Sequence, residues 1–171
     1  MDFNELAEKR YSVRRFSDKK VEDGKLRAVL ETVLLAPTAK NIQPERVYVM
    51  TKKEDFEKLD KLTHCRYGAP VVLVFTYSKS EEWKNPMEEG VVSGVEDTSI
   101  AATYVMLKAT ELGLYTTWCN MYPNTELEKA FNLPEDERSV LIMPIGYKQD
   151  DVHPSSLHDA TRPFDELVKY L

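Results

Sequence analysis

A chain of 171 residues with 42% hydrophobic and 30% charged residues can bury a real core, and its composition is that of a folded domain rather than a disordered segment. A net charge of −6 argues against nucleic acid as the main partner, because phosphate-backbone binding needs a basic surface. No apolar run approaches the roughly 20 residues that span a bilayer. The acidic, helical-looking start is no signal peptide, so we expect no membrane partner and a cytoplasmic setting. Cys65 and Cys119 are too few for a disulfide framework, and His64, His153 and His158 show no metal-ligand spacing, so no metal is expected.

In chain order, residues 2–9 read as a short helix with Phe3, Leu6 and Ala7 on one face. Residues 9–20 then carry six Lys/Arg against one acid, a local cationic patch in an acidic chain. Within it, Arg10, Ser12 and Arg14 alternate with apolar residues, so an extended backbone points all three the same way. Two guanidinium forks and a hydroxyl suit a phosphate monoester. A solvated basic turn anchored by Phe16 fits the same residues. An amphipathic helix follows over about 22–35, with Leu26, Val29, Leu30, Val33 and Leu34 on its buried stripe, and Pro37 stops it.

The loop 36–44 offers small residues at its start and the amides of Asn41 and Gln43 near its end. That pattern suits a flat heterocycle, or else a plain connection. Val47–Met50 reads as a strand and 53–61 as a helix with Phe56, Leu59 and Leu62 inward. The unbroken run Pro70–Phe75 reads as a strand covered on both faces. Residues 78–93 are a polar connection of the length that lids often have. Ser93 and Glu96 match a capping box for a long helix to about Leu112, with Thr98, Ala101, Ala102, Val105, Ala109 and Leu112 on one stripe. A strand at 115–119, a helix from Thr125 to about Phe131 with a second capping box, and a strand at 139–145 complete the regular elements. The tail from 148 holds Phe164, Leu167 and Val168 with no core left to join, which implies docking elsewhere.

Four segments taken in order resemble the nitroreductase family: Arg10-Tyr11-Ser12-Val13-Arg14-Arg15-Phe16, the loop Ala36–Pro44, the stretch from Asp97 to Trp118, and Met143–Tyr147 with Arg162-Pro163 beyond. The resemblance implies an α+β, three-layer fold: a mixed, mainly antiparallel sheet flanked by helices. It also implies one domain over 1–171, an intertwined homodimer with FMN at the interface, and a tail from about 150 docked on the partner. Carried over by position, Arg10, Ser12, Arg14 and Arg162 hold the ribityl phosphate, with Tyr11 in the same motif. Pro37, Thr38, Ala39 and Asn41 reach the flavin from the partner, and Gln43 either joins them or only braces the loop. Trp118, Cys119, Asn120 and Met121 line the isoalloxazine. Glu45 stands where the family commonly has an aromatic residue, and Ala160 stands where it has a lysine.

The implied chemistry is ping-pong hydride transfer at flavin N5 from NADH or NADPH to a flat nitroaromatic or quinone-type small molecule. The flavin carries the reaction, so no catalytic side chain is expected. The same resemblance leaves open reductive dehalogenation, flavin fragmentation or a non-enzymatic flavin-binding role.

Overall fold

The apolar run at 70–75 becomes the centre of a four-stranded sheet, as its lack of alternation requires. In the computed structural model, which describes residues 1–171, the strands are β1 (Glu45–Met50), β2 (Val71–Ser78), β3 (Tyr115–Thr116) and β4 (Glu137–Gly146), in the order β1-β2-β4-β3. All three ladders are antiparallel. The parallel component is one isolated bridge, from Ser12 to Thr116.

The helices are α1 (Phe3–Lys9), α2 (Asp23–Leu30), α3 (Lys53–Leu62), α4 (Gly94–Glu111), α5 (Asn124–Ala130) and α6 (Phe164–Leu167). Every residue of β2 is buried, and its two sets of alternating side chains enter different cores. Val71, Leu73 and Phe75 pack with Ala102, Val105 and Ala109 of α4 and Val29 of α2. Val72 and Val74 pack with Leu59 of α3, Leu127 of α5, Ile142 and Cys119. Helices therefore cover both faces, giving three layers. The fully buried side chains of these cores each contribute about 1.5–3 kcal/mol of transfer free energy, which holds the sheet as a rigid base for the loops at its end.

Several local readings need correction. The helix expected over 22–35 is α-helical only to Leu30 and continues as a 3₁₀ segment, Glu31–Leu35. The tighter period rotates Leu34 off the buried stripe, and it is 79% exposed. Ser93 makes no capping bond; its hydroxyl donates instead to Asp97 Oδ2 at 2.6 Å. α5 begins at Asn124 rather than Thr125, without a side-chain cap. Glu128 there faces β4, accepting from the Ser139 N–H at 2.8 Å. A capping box does occur at α1, where Asp2 and Glu5 exchange bonds of 2.9 and 3.0 Å. The strand read at 115–119 is regular for two residues only, then rejoins β4 through a Cys119–Ile142 bridge. Residues 79–92 form neither helix nor strand, and Trp83 and Ser93 close them as a hairpin-like loop. No helix is long and apolar enough to cross a membrane.

Candidate functional site

The basic segment is strapped along β3. The Val13 N–H donates to the Thr116 carbonyl at 3.1 Å, and Thr117 Oγ1 donates to the Val13 carbonyl. Phe16 and Ser17 then donate their N–H groups to the carbonyls of Tyr67 and Tyr147, at 3.1 and 2.8 Å. Val13 and Phe16 are buried with Ala69 in a small core of their own. Because inward and outward positions alternate, burying Val13 turns Ser12 and Arg14 outward. They meet a cavity of about 260 Å³, with Ser12, Arg14 and Arg15 on one wall and Asp151, His153 and Ser155 on the other.

Of the residues expected at the phosphate, the cavity wall holds Ser12 and Arg14. Arg10 closes the end of α1, donating its N–H to Leu6. Arg162 lies in the exposed tail and pairs with Glu166 at 3.6 Å. The chain segment leading to it is nonetheless tied back toward Arg10: the His158 ring sits 3.0 Å from the Glu8 carbonyl oxygen. Tyr11 stacks edge-on with Tyr115 and His158, with centroids 5.4 and 6.0 Å apart. Burial, reinforced by Tyr115, pushes its hydroxyl up to about 12, so it stays neutral. The sequence motif did not single out Arg15, Asp151, His153 or Ser155. Arg15 joins the wall because the backbone bends at Arg14, and it pairs with Asp151 at 2.6 Å.

β3, along which the strap lies, leads on into Trp118–Met121. Trp118 Nε1 donates to Asn120 Oδ1 and Asn120 Nδ2 donates to the Val140 carbonyl, both at 2.7 Å. The Met121 carbonyl accepts from Thr63 Oγ1 at 2.7 Å. With those groups fixed, the N–H of Cys119 is spent on Ile142, while those of Asn120 and Met121 bond to nothing in the chain. Two unspent backbone donors beside each other form a small electropositive edge. Cys119 itself is buried, and burial, then the neighbouring Cys65, pushes its thiol up to about 12. It is a packing residue, not a thiolate.

The loop 36–44 is a separate piece. Lys40, Asn41 and Gln43 all have positive φ, 52°, 56° and 58°. Such backbone persists only when its surroundings over-determine it. Here the Gln43 N–H donates to Thr38 Oγ1 at 3.1 Å, and Gln43 Nε2 donates to Asn41 Oδ1 at 2.9 Å. Ala39 donates its N–H to Asp97 Oδ1 at 2.9 Å, fastening the loop to the start of α4. No hydrogen bond joins it to the basic strap or to Trp118–Met121. Pro37, Asn41, Ile42 and Gln43 face outward. Asp97 was visible in sequence only as an early acid on a helix, and its anchoring role comes from the fold. Glu45, just beyond the loop, is buried with Oε2 unpartnered, and burial, then Asp97, raises its carboxyl.

Comparison with known proteins gives one consistent picture. A family model described as the nitroreductase family matches residues 7–67 and 63–147. A nitroreductase family protein from Clostridium difficile 630 superposes with a TM-score of 0.92 at 36% identity, covering 99% of this chain and 98% of that one. An FMN-dependent nitroreductase from C. difficile R20291 superposes at 0.77 with 27% identity, covering 96% of each chain. A Methanothermobacter thermautotrophicus protein provisionally named NADH dehydrogenase/NAD(P)H nitroreductase is 26% identical over 171 residues, 95% of this chain and 85% of that one.

Proposed function

The chain belongs to the nitroreductase family, and from that premise we propose that it is an FMN-dependent oxidoreductase that uses NAD(P)H to reduce a flat acceptor of the nitroaromatic or quinone type. The observation that carries the reading is the linkage of two complementary surfaces through β3. The strap that walls a cavity with Ser12, Arg14 and Arg15 is bonded to Thr116 and Thr117, and the chain runs from these to the open N–H groups of Asn120 and Met121. The first suits a phosphate monoester and the second the edge of a flat, electron-accepting heterocycle.

FMN held by these residues would supply the redox chemistry, hydride transfer between NADH or NADPH and the acceptor in two separate half-reactions. The residues of this chain do the rest. Ser12 and Arg14 anchor the phosphate from the cavity wall, and Arg10 and Arg162, both outside that wall, reach it from the end of α1 and from the tail. The N–H groups of Asn120 and Met121 stabilise negative charge that develops on the ring system. Trp118, held by Asn120, braces that edge. No side chain is assigned a proton-transfer role, in keeping with the neutral, buried Cys119.

The assembly follows from what one chain leaves unpaired. Phe3, Leu34, Leu35, Phe164 and Leu167 are each more than 60% exposed, and the loop 36–44 makes no bond to its own strap. Both features support a homodimer in which Pro37, Thr38, Ala39, Asn41 and Gln43 face the partner's flavin. Residues 151–158 are held to their own strap and α1 by Asp151 and His158, so the part of the tail left to dock across the interface is the end around Phe164 and Leu167 rather than the whole stretch from about 150. Anaerobic addition of NADH or NADPH to the FMN-loaded protein, followed by a panel of quinones and nitroaromatics, tests the reading. Bleaching of the flavin by the pyridine nucleotide and its recovery with acceptor are expected. A flavin that NAD(P)H leaves oxidised would refute the proposed enzyme.

A further inference from the structure

The cavity beside Ser12 and Arg14 has a second wall that the motif does not predict, and its charge inventory is informative. Arg15 and Asp151 pair at 2.6 Å, so they offset one another. The Arg15 hydrogen bond holds the Asp151 carboxyl below the usual range, which keeps that pair ionised. Lys148 is turned away, donating to the carbonyls of Val152 and Asp150 at 2.9 and 3.5 Å. Within the cavity this leaves one uncompensated fixed cation, Arg14, with the hydroxyls of Ser12 and Ser155. A phosphate monoester carries about −1.5 to −2 charges at neutral pH. His153 is the remaining wall residue with a ring N–H to offer a phosphate oxygen.

Resting on the FMN reading above, we propose that His153 is a direct contact to the FMN phosphate, donating a hydrogen bond from its ring to a phosphate oxygen. The geometry supports this independently of Arg10 and Arg162, which lie outside the cavity wall. Backbone bonds from Gln149 to Arg15 at 3.3 Å, and from its side chain to Phe16 at 3.2 Å, hold the segment carrying His153 against the strap. His153 itself is exposed, so replacing it leaves the core intact.

The test is FMN binding by the flavin-free protein at about pH 6, followed by quenching of flavin fluorescence, with riboflavin in parallel. His153→Gln is expected to weaken FMN binding roughly five- to tenfold. His153→Lys should restore the affinity. Riboflavin, which lacks the phosphate, should bind all three proteins alike. Wild-type FMN affinity in His153→Gln at pH 6 would overturn this contact while leaving the FMN reading intact, as would an equal loss for riboflavin. Failure of the wild-type protein to bind FMN would overturn both.

Discussion

Replacing Thr117 with valine tests whether the basic strap is held as the hydrogen bonds indicate. The change keeps the shape of the side chain and removes the hydroxyl that donates to the Val13 carbonyl. That carbonyl has no other donor in the chain, and both Val13 and Thr117 are almost wholly inaccessible to water. The variant therefore strands a buried acceptor, at a cost of about 1–3 kcal/mol. For a chain of this size each kcal/mol lowers Tm by about 2–4 °C, so a drop of roughly 2–12 °C is expected. Between Ser12 and Arg14 the strap would then be held to its neighbour by the Val13–Thr116 bond alone, with the bonds of Phe16 and Ser17 beyond the bend untouched, and FMN affinity should fall because Ser12 and Arg14 lose their fixed position. Urea unfolding of the flavin-free protein, at one protomer concentration, measures the first effect; flavin fluorescence measures the second. A stability change below about 0.5 kcal/mol, with unchanged FMN affinity, would refute the idea that Thr117 locks the segment in place.

Three further outcomes follow. Arg14→Ala should weaken FMN binding by roughly 10- to 150-fold, the worth of a charged hydrogen bond of about 1.5–3 kcal/mol, and fluorescence titration would reveal it. Gly94→Ala should destabilise the fold by about 1–3 kcal/mol in thermal melts, because a Cβ there overlaps the Tyr77 ring and the Glu82 carboxylate next to the Asp97 anchor. Burial, with the Asp97 charge beside it, raises the Glu45 carboxyl above its ordinary 4.5. The folded state thus holds that proton more tightly than the unfolded chain, and stability is lost as pH rises from the unfolded value through the folded one. Glu45→Gln should accordingly gain on the wild type between about pH 4 and pH 7, and paired urea titrations at those two values would show whether it does.

The strap motif and the layered core were legible because alternation and apolar runs encode which side of a backbone is covered. Val13 turned inward as the alternation of Ser12 and Arg14 demands, while a bend at Arg14 breaks that alternation and turns Arg15 outward and Phe16 inward, and the unbroken run at 70–75 became the buried middle strand. Long-range placement was harder to read. Nothing local marks Thr117 as a clasp for a residue 104 positions earlier, or Asp97 as the anchor of Ala39 58 positions before it. The second wall of the cavity stayed hidden for the same reason: Asp151, His153 and Ser155 sit in an irregular tail whose course depends on Gln149 and Lys148 bonds. Capping boxes misled where a stronger partner was available. Ser93 found Asp97 and Glu128 found β4, so neither completed its local motif.

The central claim is that this strap and the open N–H groups beside it hold FMN. The most direct measurement is the visible absorption spectrum of the purified protein after incubation with FMN and removal of the excess. The account predicts a yellow protein that retains flavin bands, releases about one FMN per chain on denaturation, and loses them in Arg14→Ala. A colourless protein that cannot be reconstituted with FMN would contradict it.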